Sequence, residues 1–419
     1  METLRVINQV LGIVLFACYA YQLVFLLMPF LDGPRRKKPC PPHRFAVLIA
    51  ARNERTVIAQ LIESIRNQTY PDGYTDIYVV ADNCTDDTAQ VALAAGAEVF
   101  CRHSRIVGKG YALQYLLRRI ASDWPERQYD AYLILDADNL LDPEYLKAMN
   151  RAYSEGYGVV TSYRNSKNYG DNWISAGYGL WFLRESRYLN HARSLLGTSC
   201  AVSGTGFLVD RRVLDAYGGW QWVLLTEDLE FTARYVSDGG RVGFAPDAVF
   251  YDEQPVTFTQ SWRQRMRWAR GNLQVFGRYG GRLLRRLLTH GSFACFDLLM
   301  VTMPAVIVSL AAGILNAAAL FAALVSGENA WIALQPLAQN LGEVYLALFA
   351  AGALTTATEW KRIPAPGWKK ILYTLTFPLF MLTYVPISLC SFFGRVTWKP
   401  IEHTRQLTVP ELLSGGRSR

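Results

Sequence analysis

No CxxC pair occurs in this chain. Its seven cysteines stand irregularly at 18, 40, 84, 101, 200, 295 and 390. That excludes a disulfide framework and a structural zinc site, and the expectation is free thiols in a reducing compartment. There is no phosphate-binding P-loop, because Gly108-Lys109-Gly110 lacks both the upstream glycine and the following Ser or Thr. The Gly-rich turn Ser203-Gly204-Thr205-Gly206 does not match the dinucleotide fingerprint. No zinc-finger spacing, basic arm or other nucleic-acid motif accompanies the net charge of +8. That charge suits anionic headgroups or phosphates, and nucleic acid is not expected as a partner. Internal repeats and low-complexity tracts are absent. Charged residues are few, 19% against 51% hydrophobic, and the average hides a division along the chain.

At 419 residues the chain exceeds one ordinary core. Residues 4–30 are a nearly uninterrupted apolar run, long enough to span a bilayer. The basic cluster Arg35, Arg36, Lys37 and Lys38 follows that run instead of preceding it, which favours an uncleaved anchor over a signal peptide. It also puts the next domain in the cytoplasm by the positive-inside rule. Residues 296–325 and 331–357 read as two more spans, followed by a loop with Lys361, Arg362, Lys369 and Lys370. Residues 371–394 are apolar but contain Pro378 and Pro386, and the tail beyond carries Arg395, Lys399 and Arg405. Basic flanks on both sides leave two readings, a re-entrant or interfacial hairpin, or a tail that breaks the charge rule. Between 260 and 290, Trp, Leu and Phe mix with arginines, the composition of helices lying in the interface. The expected division is a transmembrane helix at 1–31, a cytoplasmic domain at 32–259, interfacial amphipathic helices at 260–292, a transmembrane region at 293–394 and a basic cytoplasmic tail at 395–419.

Within the domain, the apolar runs 44–51, 77–81 and 131–135 read as buried strands, and 56–67 and 85–95 as helices. Strands alternating with helices predict a mostly parallel sheet with helices on both faces. Ligands in such sheets bind beyond the carboxyl ends of the strands. Arg52-Asn53-Glu54, Asp82-Asn83 and Asp136-Ala137-Asp138 all follow such ends.

Asp136 and Asp138, two residues apart, could face one cation. Hard oxygen ligands suit Mg2+ or Mn2+ bridging to phosphate. A solvated turn or helix cap is the ordinary alternative, and Asp82 has the same two readings. Leu225, Leu229 and Phe231 predict a partly buried helix start around Thr226-Glu227-Asp228. Thr226 is expected as its N-cap, and a carboxylate near an apolar wall suits a general base. Gln264 and Arg267, three apart, share a helix face; Arg267 can grip a diphosphate bidentately and Trp268 can stack on a sugar.

In this order the motifs resemble the membrane-embedded family 2 glycosyltransferases, the group of cellulose, chitin, hyaluronan and poly-N-acetylglucosamine synthases. The resemblance covers about residues 44–290 by motif. It implies an α/β fold, a GT-A-type nucleotide-sugar-binding domain with a mostly parallel sheet, plus transmembrane and interfacial helices. It implies inverting transfer from a UDP-sugar to a growing polysaccharide at the membrane, with Mg2+ or Mn2+. By resemblance Asp228 is the catalytic base and Asp138 the metal ligand. Ala51, Asn53, Glu54, Asp82, Lys109, Asp136, Gln264 and Arg267 contact the nucleotide-sugar. Ser203, Gly204, Thr205, Glu227 and Trp268 contact the acceptor. The resemblance also implies a multi-pass protein of the cell (plasma) membrane with the catalytic domain in the cytoplasm. The chain departs from the large synthases in having few spans. A homo-oligomer or small partner subunit would then complete any channel. Ceramide glucosyltransferases carry similar motifs, so single transfer to a lipid acceptor is the alternative.

Overall fold

The computed structural model describes residues 2–33, 39–302, 304–325, 330–393, 403 and 405–415. The basic cluster at 35–38, Arg395 and Lys399 lie outside the described residues. Two apolar helices, α1 (Glu2–Tyr19) and α2 (Gln22–Leu31), precede an eight-stranded sheet. Its strands are β1 (Phe45–Ala51), β2 (Thr75–Asp82), β3 (Glu98–Arg102), β4 (Ala131–Asp136), β5 (Leu140–Leu141), β6 (Val159–Ser166), β7 (Phe207–Asp210) and β8 (Val242–Asp252). Helices α3 (Ile58–Arg66), α4 (Thr88–Ala94), α5 (Lys109–Asp123) and α6 (Tyr145–Tyr153) alternate with the first strands. Next come α7 (Trp173–Arg184), a π-helical turn (Glu185–Asn190), α8 (His191–Leu195), α9 (Arg211–Ala216) and α10 (Glu227–Ser237).

The strand order is β3-β2-β1-β4-β7-β6-β8-β5. Four pairings are parallel, and three are antiparallel, those of β7 with β4 and β6 and of β5 with β8. β7 reverses because it starts from the Gly204–Gly206 turn at the carboxyl end of β4, so Phe207 pairs with Ile134 and the strand runs back. β1 shows why the strands read as continuous apolar runs. Phe45, Val47 and Ile49 enter one core with Ile62, Leu133 and Met149, while Ala46 and Leu48 enter the other with Tyr78, Leu113 and Leu116. Both faces are covered, so both residues of each alternating pair are apolar.

The helix expected at 85–95 starts at Thr88, because the Asp86 carboxylate accepts the Thr88 N–H at 3.1 Å and holds the preceding residues in a turn. All seven cysteines are free.

After the sheet come α11 (Phe258–His290), α12 (Phe293–Thr302), α13 (Pro304–Val325), α14 (Ala330–Thr358), α15 (Gly367–Leu382), α16 (Tyr384–Phe393) and α17 (Val409–Gly415). The stretch read as several interfacial helices is the single 33-residue α11, closed by Gly291 at φ 61°. It turns Arg265, Ala269, Val275, Tyr279 and Leu283 inward and leaves Leu284 and Leu288 exposed. Among the described residues, Val6–Leu31, Ala338–Thr358 and Gly367–Phe393 are long and apolar enough to cross a membrane. Residues 296–325, expected as one span, belong to two helices, and Phe293–Thr302 and Ala311–Ala322 are shorter apolar stretches.

Polar pairs join the apolar helices to the rest. Asn8 and Asn316 exchange hydrogen bonds of 3.0 Å between α1 and α13. Tyr21 and Arg193 both bond Asp297, at 2.5 and 2.6 Å. Two contacts tie this region to the sheet domain: Lys369 Nζ, in the first turn of 367–393, donates to Gly170 O at 2.6 Å, and His403 of the tail bonds Glu54. Thr383 breaks that unit, and there the fully buried Arg265 donates to Phe380 O and Thr383 Oγ1.

Candidate active site

The carboxyl ends of β1, β2 and β4 open into a cleft of about 240 Å³, closed from the opposite side by α10 and the first turns of α11. Its lining gathers Ala51, Glu54, Asp82, Lys109, Asp136, Asp138, Gly204, Glu227, Asp228, Gln264, Arg267 and Trp268. Three expected contacts, Asn53, Ser203 and Thr205, are absent from that lining and are used to hold it. Asn53 sits at φ 59° and exchanges hydrogen bonds with Thr85, tying the loop after β1 to the loop after β2. The Thr205 hydroxyl accepts the Asp136 N–H at 2.8 Å and donates to Asn139 Oδ1, bracing the acidic turn. Ser203 O accepts from Arg164 at 3.0 Å.

Lys109, the first residue of α5, points across the cleft. Its ammonium donates to Asp136 Oδ1 at 2.5 Å and to Gly204 O at 2.6 Å. Burial alone would lower its proton affinity, but Asp136 and Glu227 outweigh that and raise its pKa. Gly204 and Gly206 need their positive φ of 77° and 67°. A β-carbon at 206 would also collide with Phe250 and Ser162, so the close backbone approach here serves protein packing. Asp82 is buried and paired with Arg102 at 2.5 Å.

Asp138 is buried at the end of the acidic turn, accepting the Glu253 N–H at 2.9 Å. Burial would raise its pKa, yet the charges of His403 and Lys167 hold it below the ordinary carboxylate range. His403 comes from the tail. Its Nδ1 is 2.8 Å from Glu54 Oε2 and its Nε2 is 3.9 Å from Asp138 Oδ2. Burial opposes its protonation, but Asp138 and Glu54 outweigh it and raise its pKa to about 9. Among the described residues no three His, Cys, Asp or Glu side chains form a complete metal shell. A Mg2+-like cation takes one or two protein groups and completes its shell with phosphate and water. The donors at Asp138 fit that pattern.

Glu227 and Asp228 open α10. Burial, and for Glu227 the neighbouring Asp228 charge, raises both carboxyl pKa values, while Lys109 and Arg267 pull them down. Thr226 occupies the N-cap position, but its hydroxyl makes no cap bond and is buried without a partner among the described residues. The expected cap fails because Gly271 of α11 presses on it; a β-carbon at 271 would meet Thr226 Oγ1 at 2.5 Å. The fully buried Glu230 organises this end instead, accepting the N–H groups of Val223 and Leu224 at 2.9 Å each.

α11 brings Gln264, Arg267 and Trp268 over the cleft. Trp268 packs edge-on against Tyr178 and Phe182, with centroids 5.8 and 6.2 Å away. Arg267 has no hydrogen bond or ion pair within the described residues, and Gln264 Oε1 is buried and unpartnered.

Sequence reasoning missed Arg164, Asp252 and His403, all of which line the cleft. Arg164 pairs with Asp252 and lies over Phe182 with 3.5 Å to the ring centre. Burial and the Asp138 charge raise the Asp252 pKa to about 6, though Arg164 opposes them. The polar ends of the apolar strands β6 and β8 were a usable signal for the first two. Nothing local marks His403.

The family described as "Glycosyltransferase like family 2" matches residues 41–271. A beta-monoglucosyldiacylglycerol synthase of Nostoc sp. (strain PCC 7120) is 28% identical over 272 residues, 61% of this chain and 54% of that protein. A poly-beta-1,6-N-acetyl-D-glucosamine synthase of Staphylococcus aureus (strain COL) is 23% identical over 233 residues, 54% of each. The chain thus spans about half the length of the curated relatives it matches. Among solved structures, the mannosyltransferase PcManGT of Pyrobaculum calidifontis, in complex with GDP-Man and Mn2+, shares the fold. Its TM-score is 0.57 at 19% identity, covering 93% of this chain and 99% of that one.

Proposed function

The chain belongs to glycosyltransferase-like family 2, and we propose that it transfers a hexosyl unit from a UDP-sugar to a hydroxyl of a membrane-held acceptor, with inversion. The observation that carries this reading is one cleft holding the Glu227–Asp228 pair, Lys109, Arg267 and the buried Asp138. The acceptor hydroxyl gives its proton to Asp228 as its oxygen bonds the anomeric carbon. The bond from that carbon to the diphosphate oxygen breaks, and the UDP keeps the electron pair. Arg267, which makes no hydrogen bond or ion pair among the described residues, and Lys109 face the charge that develops on the leaving group. The raised Asp228 pKa suits a base that must take a proton near neutrality. Asp138, with His403 beside it, would hold Mg2+ or Mn2+. A bound cation neutralises the departing diphosphate. Asp82 and Glu54 lie where the nucleoside end would rest, and Trp268 and Gly204 face the acceptor.

The leading acceptor is a lipid, because a relative at 28% identity is a beta-monoglucosyldiacylglycerol synthase. A growing polysaccharide is the second reading, supported by the poly-beta-1,6-N-acetyl-D-glucosamine synthase. In that reading a homo-oligomer or small partner subunit completes the path through the bilayer. The protein is multi-pass in the cell membrane with its cleft in the cytoplasm. Lys361, Arg362, Lys369 and Lys370 between α14 and α15, held against the sheet domain, support that side. The contacts of Lys369 and His403 with the sheet domain support a re-entrant or interfacial unit at 367–393.

Membranes carrying the chain, incubated with a panel of UDP-sugars and Mn2+, should release UDP with one sugar and yield one new glycolipid. A ladder of products moves the acceptor to polysaccharide. No UDP release with any sugar overturns the donor.

A further inference from the structure

A second cavity, of about 540 Å³, lies where the ends of α8 and α10 meet the end of α11 and the start of α12. It shares no residue with the catalytic cleft. Two arginines line it, Arg241 and Arg286, and no carboxylate does. Among the described residues Arg241 donates only to neutral groups, Gly197 O at 3.0 Å and the Tyr157 hydroxyl at 2.7 Å. The Arg286 guanidinium comes so close to Gly239 that any β-carbon there would collide with its Nη2. It has no ion pair among the described residues. The neighbouring Asp238 is already taken by Arg234 at 2.8 Å and by Arg282. Thr198 adds a shielded hydroxyl without a partner among the described residues.

Two guanidinium groups without a counter-charge among the described residues, beside glycine backbone, are a phosphate-binding arrangement. The surroundings decide which phosphate. Leu196 and Phe293 on the rim are exposed, at 43% and 40%. The Phe293 ring also meets Tyr21, just before α2, and Phe25 of α2, at 5.5 and 6.3 Å, which carries the rim onto an apolar helix. A soluble anion has no use for such a rim, whereas acyl chains do.

We infer that this cavity binds the phosphodiester of an anionic membrane lipid, seating the catalytic domain on charged bilayer. The site acts on membrane attachment and does not depend on the sugar or the acceptor. Native mass spectrometry of the detergent-purified full chain, titrated with phosphatidylglycerol, phosphatidylcholine or glycerol 3-phosphate, tests it. Arg241→Gln with Arg286→Gln should weaken phosphatidylglycerol binding about ten-fold or more and leave phosphatidylcholine unchanged. Arg285→Gln, exposed on the same helix, should retain it. Arg286→Gln alone breaks no bond among the described residues, so an unchanged melting temperature with weakened binding supports the site even if the double variant unfolds. Unaltered binding in Arg286→Gln, or an equal loss in Arg285→Gln, overturns it. Displacement of the lipid by equimolar glycerol 3-phosphate overturns the lipid assignment.

Discussion

His403 and Glu54 are 349 residues apart in sequence and 2.8 Å apart in space. The tail that carries His403 is anchored twice more. Arg405 bonds Glu253 and Asp171 at 3.1 and 2.6 Å, and Leu412 and Val409 pack on Leu140 and Tyr251. If Asp138 binds the cation, the imidazole beside it tunes that site from the far end of the chain. With a cation at Asp138, His403 would give up its proton and offer the neutral ring nitrogen, so His403→Ala should weaken Mn2+-dependent UDP binding about ten-fold or more. Calorimetry of UDP with and without Mn2+ reads this directly; a change seen equally without metal would assign His403 to folding alone.

The base assignment rests on Asp228. Asp228→Asn keeps the size and removes the proton acceptor. Transfer should fall by about 10²–10⁴-fold while UDP binding persists. Full activity in that variant would defeat the proposed mechanism.

The acid limb of the pH profile should report the paired carboxylates. Burial and Asp228 push Glu227 to about 7, and burial also raises Asp228. A base must be ionised, so kcat/KM should fall as pH drops through this range. Stability should go the other way. A carboxyl raised on folding binds its proton more tightly in the native state, so its contribution is full below the unfolded pKa and is lost as pH rises through about 7. Glu227→Gln removes one negative charge beside Asp228 and should move the acid limb to lower pH. An unmoved limb would mean that another group sets it.

Gly271 gives a test of packing against propensity. In an exposed helix, Gly→Ala gains about 1 kcal/mol. Here the new β-carbon meets Thr226 Oγ1 and Cγ2 at 2.5 Å. Overpacking of this kind costs about 1–3 kcal/mol, so the clash should win. Gly271→Ala should lower both the melting temperature and kcat, since α11 carries Arg267 and Trp268 against α10.

Much of the site was legible because its residues follow apolar strands. Runs such as AVLIA and YLILD announce buried strands, and a parallel sheet sends its loops to one end. Hence Asp82, Asp136 and Asp138 meet as expected. The Gln264–Trp268 motif was visible too, but not the work of Arg265 inside it, which is fully buried and bonded to Phe380 O and Thr383. That contact depends on where α15 breaks, and no local pattern at 265 encodes it. The Thr226 cap was misjudged for a similar reason. Local chemistry favours Thr at that position, but a glycine 45 residues later brings a helix too close.

The sequence by itself determined three of the eight strands, most of the apolar stretches, the carboxylates at those strand ends and the family, because periodicity and motif spacing are local. Only the tertiary structure decided that β7 runs antiparallel, that Ser203, Thr205 and Asn53 brace the cleft from outside its lining, and that Arg164, Asp252 and His403 enter it. Those outcomes depend on contacts between segments far apart in the chain. His403 is the extreme case, since burial among carboxylates on the opposite side of the domain gives an otherwise unmarked histidine its charge and its place.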